Sequence, residues 1–170
     1  MNKQILVTVG TTKFEDLIGQ LDNESFYKNL DVNGFTSLIF QIGNGEYIPC
    51  KYELLKLNGL KVKIVKFLPM FEDVIKESEY IISHCGAGSL LEGLKNKKNV
   101  IAVINDKLMD NHQSELAFQL YKENYILLIK KLDNIVIELE SLLKTKTKLN
   151  SYPDFNYDII PQVINDMLDI

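Results

Sequence analysis

The sequence predicts an α/β domain built on a mostly parallel, Rossmann-like sheet. Three observations lead there. Short apolar runs recur along the chain, each followed by a turn and then by apolar residues at helical spacing, the order expected of a sheet covered by helices on both faces. One run, Tyr80–Ile82, breaks into a glycine turn that opens a helix, YIISHCGAGSLLEG. Another, Val100–Ile104, is an unbroken apolar stretch flanked by asparagines, as in a strand buried on both faces.

In chain order, Ile5–Val9 reads as the first strand, and Phe14, Leu17, Ile18 and Leu21 as the buried stripe of a helix. Between them Gly10, Thr11 and Thr12 put hydroxyls and a flexible backbone at the C-terminal end of a strand, where open α/β sheets bind ligands. An ordinary helix start has the same composition, so both readings stay open. Ser37–Ile42 is a second strand, closed by Gly43-Asn44-Gly45, a plain turn signal. Lys51–Leu60 has helical character and stops at Asn58-Gly59. Val62–Phe67 alternates lysines with apolar residues, as a half-exposed strand does, with Lys61, Lys63 and Lys66 on a solvated face. Leu68-Pro69-Met70 then turns into a short helix with Phe71, Val74 and Ile75 inward.

In the glycine stretch, Gly86, Ala87 and Gly88 allow a tight turn and Ser89 is placed to cap the helix that follows. Free N–H groups and the positive dipole end of a helix start favour a phosphate. Glu92 lies further along the same helix, where a carboxylate can accept hydrogen bonds from sugar hydroxyls. The stretch fits neither common fingerprint: the dinucleotide pattern needs glycine where Leu91 stands, and G-K-[ST] is absent.

The loop after Val100–Ile104 is the second polar cluster. Asp110 or Asn111 can cap the next helix. Asn111, His112 and Gln113 place an amide, an imidazole and an amide at its start, a group suited to the hydroxyls and N-acetyl of a sugar; a surface histidine is the plainer alternative. Tyr125–Ile129 is a last strand and Leu132–Leu143 a helix with Ile135, Leu139 and Leu142 on one face. Lys144–Asn150 reads as a polar linker. These features divide the chain into a domain over residues 1–150 and a tail over 151–170, whose Ile160, Val163, Ile164, Met167 and Leu168 form one apolar stripe that either folds back or docks on a partner.

With 170 residues, 46% of them hydrophobic, the chain suffices for one buried core. A net charge of -4 and the absence of arginine argue against a nucleic-acid surface. Cys50 and Cys85 stand far apart, in no metal or redox spacing, which suits a reducing compartment. No run approaches the roughly 20 apolar residues of a membrane-spanning helix.

VTVGTTKFEDLI, QIGNG, SHCGAGSLLEGL and INDKLMDNHQSELAFQL, in this order, resemble the small catalytic subunits of two-part UDP-N-acetylglucosamine transferases that act on the dolichol-linked precursor of N-glycans. The likeness spans most of residues 4–120 and extends to the C-terminal domain of the bacterial lipid II GlcNAc transferase, of glycosyltransferase family 28. It implies the nucleotide-sugar-binding half of a GT-B glycosyltransferase, active with a membrane-anchored second subunit at the cytosolic face of the endoplasmic reticulum. The implied reaction is inverting transfer of GlcNAc from UDP-GlcNAc to GlcNAc-diphospho-dolichol, with no cofactor and no metal.

By the same resemblance, Gly86, Ala87, Gly88 and Ser89 cradle the diphosphate, Gly10, Thr11 and Thr12 face it, and Glu92 holds the ribose. Leu68 lies where backbone contacts to uracil are expected, and the stripe from Ile160 to Leu168 docks on the partner. Asn111, His112 and Gln113 lie near the GlcNAc, where the bacterial relative has a pair of glutamines, so that His112 is a departure. His84 and His112 are the candidates for general base, with the partner subunit as the other source. A non-catalytic nucleotide-sugar-binding or assembly subunit is the alternative function.

Overall fold

The protein, a computed structural model, is described over residues 3–105, 111–145 and 147–154. Its centre is a 6-stranded sheet of β1 (Gln4–Thr8), β2 (Ser37–Gln41), β3 (Lys61–Val65), β4 (Ser78–Ser83), β5 (Asn99–Val103) and β6 (Leu127–Ile129). The spatial order is β3-β2-β1-β4-β5-β6 and every neighbouring pair is parallel, the doubly wound arrangement expected from the sequence. The order reverses between β1 and β4. Connections leave these two strands in opposite directions, which opens a crevice at their C-terminal ends.

Helices α1 (Glu15–Leu21), α2 (Glu24–Val32), α3 (Phe71–Glu77), α4 (Ala87–Lys95), α5 (Asn111–Lys122) and α6 (Ile135–Thr145) cover the sheet. Alternate strand residues divide between its faces. Ile5, Val7, Ile82 and Ile101 pack with Leu17, Phe26, Tyr27 and Leu139 from α1, α2 and α6. On the other face Leu6, Ile39 and Ile81 meet Ile75 of α3, while Val100 and Ala102 meet Leu90 and Leu94 of α4 and Ala117 and Leu120 of α5. β1 is buried along its whole length, whereas the edge strand β3 exposes Lys61 and Lys63, charges that discourage edge-to-edge pairing. A Cβ on Gly93 would stand 2.7 Å from Val100 Cγ2, so α4 lies directly on β5.

Three local expectations are corrected. Residues 51–60 are not a helix: only Lys51–Leu54 forms a 3-10 turn. The N–H groups of this connection are taken instead by carboxylates of the α1–α2 region. Asp22 accepts from Cys50 and Lys51 N–H and from the Tyr27 and Tyr47 hydroxyls, and Asp31 accepts from Asn58, Gly59 and Leu60 N–H. Glu15 takes Glu46 and Tyr47 N–H in the same way. Next, α2 is a helix that the apolar spacing alone did not single out; Asn23 caps it by accepting from Ser25 N–H at 2.9 Å, and Phe26, Tyr27 and Leu30 are buried. Finally, β3 ends at Val65, leaving Phe67 beyond the strand and exposed. Residues 155–170, including the stripe Ile160, Val163, Ile164, Met167 and Leu168, lie outside the described residues.

The carboxylate braces make the 46–60 connection acid-sensitive. Hydrogen bonds from Glu46 and Tyr47 N–H hold the Glu15 carboxyl below its ordinary range, and the Asn58, Leu60 and Gly59 N–H groups do the same for Asp31. Burial alone would raise Asp22, but the two tyrosine hydroxyls and the Cys50 and Lys51 N–H groups more than reverse it. All three are lowered on folding, so their contribution is complete above the unfolded carboxylate range of about 4 and is lost as pH falls through the folded values. Amide hydrogen exchange as pH is lowered should show Cys50, Lys51, Asn58 and Gly59 losing protection before the β1 and β4 amides; simultaneous loss throughout would contradict this.

Candidate functional site

At the C-terminal end of the central strands the sheet face that carries α3 and α4 turns polar. Thr8 is level with Gln41 on β2 and with Ser83 on β4, and all three are buried. Ser83 Oγ has no hydrogen-bond partner among the described residues. Above this row lies a cleft of about 680 Å³, lined by Gly10, Thr11 and Gln41 on one side, the 67–73 segment on another, and Gly88, Ser89 and Glu92 of α4 on the third.

The α4 start is built for an anion. Gly86 is the N-cap, extended at φ -64 and ψ 123, and no side chain caps the helix. This corrects the expectation for Ser89, which sits inside the first turn and is buried because the helix already begins at Ala87. With no capping oxygen, the first N–H groups of α4 have neither intrahelical nor side-chain partners among the described residues. There is no acidic residue in the first turn to repel an anion. Just before it, Cys85 adopts the left-handed conformation at φ 63, and burial pushes its thiol up to about 12, so no thiolate charge develops beside the turn.

His84 joins the two glycine turns. Its backbone N–H donates to Thr8 O at 3.3 Å, and its Nδ1 lies 3.3 Å from the same oxygen, which fixes the Nδ1–H tautomer. A Cβ on Gly10 would stand 2.9 Å from His84 Cε1, and one on Gly86 would collide with Nε2. The imidazole is therefore wedged between these glycines. Burial drives its pKa below the ordinary value, against the opposing hydrogen bond to Thr8, so the ring is neutral at pH 7. It does not line the cleft.

The first glycine turn is braced from behind. Gly10 is left-handed at φ 60, and Thr12 closes the turn by donating its N–H and hydroxyl to Val9 O at 3.2 and 2.8 Å. Thr12 thus faces its own turn, not the cleft. Asn44 donates its N–H to Thr12 O at 3.1 Å and its side-chain amide to Thr11 O at 2.7 Å. Gly43, at φ 57, is pressed against this turn: a Cβ there would meet Thr12 O and stand 2.7 Å from Gly10 O. Gly43-Asn44-Gly45 is therefore a brace as well as a turn.

Glu92 reaches the cleft from α4, its Oε1 accepting from Asn96 Nδ2 at 2.9 Å with Lys95 Nζ at 3.7 Å. One carboxylate oxygen is thereby oriented. Opposite, Leu68 packs on Leu6, Ile39 and Ile81, while Phe67 and Met70 stand exposed at the rim. Phe67, read from the sequence as the end of a strand, and Gln41, the first residue of QIGNG, also line the cleft, though neither was singled out as a site residue. Gly86 and Ala87 flank the cleft without lining it. The helix bearing Asn111, His112 and Gln113 begins at Asn111, but these three side chains lie outside the described residues, as does the capping choice at Asp110. No group of three His, Cys, Asp or Glu converges, and no helix is long and apolar enough to cross a membrane, among the described residues.

Two glycine turns, one of them opening an uncapped helix, face each other across the reversal of a parallel sheet, in a doubly wound α/β domain of the fold found in GT-B glycosyltransferases. The chain belongs to the glycosyltransferase family 28 C-terminal domain family, whose model matches residues 4–158. It is 39% identical over 124 residues to the UDP-N-acetylglucosamine transferase subunit ALG13 of Homo sapiens, covering 73% of this chain but only 11% of that protein. With the subunit of the same name from Cryptococcus neoformans it shares 28% identity over 192 residues, covering 96% of both. Among solved structures it is similar to an NMR solution structure of ALG13, with TM-score 0.66 and 24% identity over 95% of this chain and 94% of that one. It is also similar to MurG of Acinetobacter baumannii, with TM-score 0.63 and 16% identity over 85% of this chain and 42% of that one.

The His84 wedge yields a double-mutant prediction. Gly86→Ala requires no unusual φ, so its cost should come from the imidazole, at about 1–3 kcal/mol for overpacking. Denaturant melts should show that cost in the parent chain and little of it in a His84→Ala background; equal costs in both would place the crowding elsewhere.

Proposed function

We propose that this domain binds UDP-GlcNAc and is the donor-binding, catalytic subunit of an N-acetylglucosaminyltransferase. The observation that carries the reading is the uncapped α4 start facing the Gly10 turn across the cleft, a ready site for a diphosphate. The subunit names of the relatives support the sugar and the need for a second chain. In this reading the diphosphate lies over Gly86–Ser89 with Gly10 and Thr11 opposite, the uracil meets the Leu68 backbone beside Phe67, and Glu92 holds the ribose. Asn111, His112 and Gln113 face the GlcNAc.

Transfer is an inverting displacement: the acceptor hydroxyl attacks the anomeric carbon as its bond to the UDP oxygen breaks. The charge that develops sits on the leaving diphosphate. Preorganised N–H groups at the α4 start stabilise it, without need of a metal ion. The acceptor proton needs a base. His84 is neutral but is engaged with Thr8 and wedged between Gly10 and Gly86, outside the cleft lining, so the base comes from His112 or from a membrane-anchored partner that completes the GT-B pair. The acceptor is GlcNAc-diphospho-dolichol at the cytosolic face of the endoplasmic reticulum, with the 151–170 tail, through Ile160, Val163, Ile164, Met167 and Leu168, docking the chain on that partner.

The test is transfer of labelled GlcNAc from UDP-GlcNAc to a GlcNAc-diphospho-lipid by the chain co-expressed with its membrane-anchored partner. Robust product is expected from the pair and little from the chain alone. Glu92→Ala should lower kcat/KM by about tenfold or more, the scale of one or two hydrogen bonds to a substrate hydroxyl. Undiminished transfer by the Glu92→Ala pair would favour the assembly-subunit alternative.

A further inference from the structure

We propose that Gln41 is a positioning residue that sets the distance between the diphosphate and nucleobase ends of the cleft. The inference rests on the nucleoside-diphosphate reading of that cleft. Gln41 is 3% exposed, at the C-terminal end of β2. Its Nε2 donates to Gly10 O at 2.7 Å and to Lys66 O at 2.6 Å, so a single planar amide joins the first glycine turn to the start of the Phe67–Leu68 segment. Its Oε1 accepts from Thr8 Oγ1 at 2.5 Å, and Thr8 Oγ1 in turn accepts from Gly10 N–H at 3.2 Å. Both ends of Gly10 are thereby fixed, its N–H by Thr8 and its C=O by Gln41.

The amide orientation follows from this network. Turned over, its oxygen would face the Gly10 and Lys66 carbonyl oxygens and its NH2 would meet the Thr8 hydroxyl, exchanging two good bonds for two repulsions. Only a carboxamide supplies two donors and an acceptor in one rigid plane, and no other neutral side chain of this length can do so. Glutamate would set a charge against two carbonyl oxygens, and a hydrophobic isostere would take the amide donor from both carbonyls. Gly43 N–H also donates to Lys66 O, at 3.0 Å, which anchors the same carbonyl to the brace behind the first turn.

The two loops joined by Gln41 line opposite parts of one cleft. A ligand with a ring at one loop and a diphosphate at the other must match their separation, whereas a ligand confined to one loop does not feel it. Loss of the clamp should therefore penalise a spanning ligand selectively. A side chain that merely supported the fold would weaken all ligands together, through the population of folded protein.

The experiment compares UDP with uridine on the full chain, by calorimetric titration for UDP and ligand-observed NMR for uridine. The variants are Gln41→Met, Thr8→Val, which removes the hydroxyl that orients Gln41, and the conservative Thr8→Ser, which keeps it. Thr8→Val should reduce the UDP-to-uridine affinity ratio by about tenfold with uridine affinity held within about twofold, and Gln41→Met, whose side chain also lines the cleft, should lower the ratio by at least as much. Thr8→Ser should retain the parent ratio. If Gln41→Met does not fold, the Thr8→Val and Thr8→Ser pair decides. Parallel weakening of both ligands, or an unchanged ratio, overturns the positioning role while leaving the site reading intact, provided the parent binds UDP. A parent chain that binds neither UDP nor UDP-GlcNAc overturns both.

Discussion

An α-helix that begins without a capping side chain leaves its first N–H groups pointing at whatever lies ahead, and in this protein what lies ahead is the open end of a parallel sheet. Gly86 makes that possible: it takes the extended N-cap geometry while contributing no oxygen, and the absence of a Cβ leaves room for His84. Gly93 then allows α4 to lie close on β5, which fixes the direction in which those N–H groups point. The proposed anion site is thus a property of the backbone, aimed by two glycines. It needs no arginine, and the sequence contains none.

The opposing turn is held to the same standard of rigidity by different means. The Gly10 turn has little side-chain mass of its own, and its conformation is imposed by neighbours: His84 just past β4, Gln41 from β2, and Asn44 and Gly43 from the connection behind it. Each of these contacts crosses between strands that are distant in sequence. In the proposed transfer this rigidity has a chemical purpose, since donors that are already in place when charge develops cost no reorganisation. Farther from the site, Asp22 and Asp31 hold the long β2–β3 connection by its N–H groups, so the brace itself has a fixed base.

The sequence was most readable where local pattern and tertiary demand coincide. β1 and β5 are largely buried and read as nearly unbroken apolar runs, as does the Tyr80–Ile82 centre of β4, and the glycine stretch 86–88 was legible as a turn from its composition. Reading failed where the deciding partner is remote. The 51–60 segment has apolar residues at helical spacing, yet carboxylates at Asp22 and Asp31 satisfy its N–H groups in a non-helical path. Gln41 was invisible as a site residue because it binds backbone carbonyls, which every residue type carries. Gly43 looked like any turn glycine; its necessity comes from the Thr12 and Gly10 oxygens pressed against it. Ser89 illustrates a one-turn error: the composition of a cap was present, but the helix starts before it.

The central claim is that the two glycine turns form one diphosphate site. The most direct measurement is a titration of isotope-labelled full chain with UDP, followed by amide chemical shifts. The account predicts the largest shifts at Gly10 and Thr11 and over residues 86–90, moving together at a single affinity. UDP binding that leaves those amides unmoved, or that shifts one turn without the other, would contradict it.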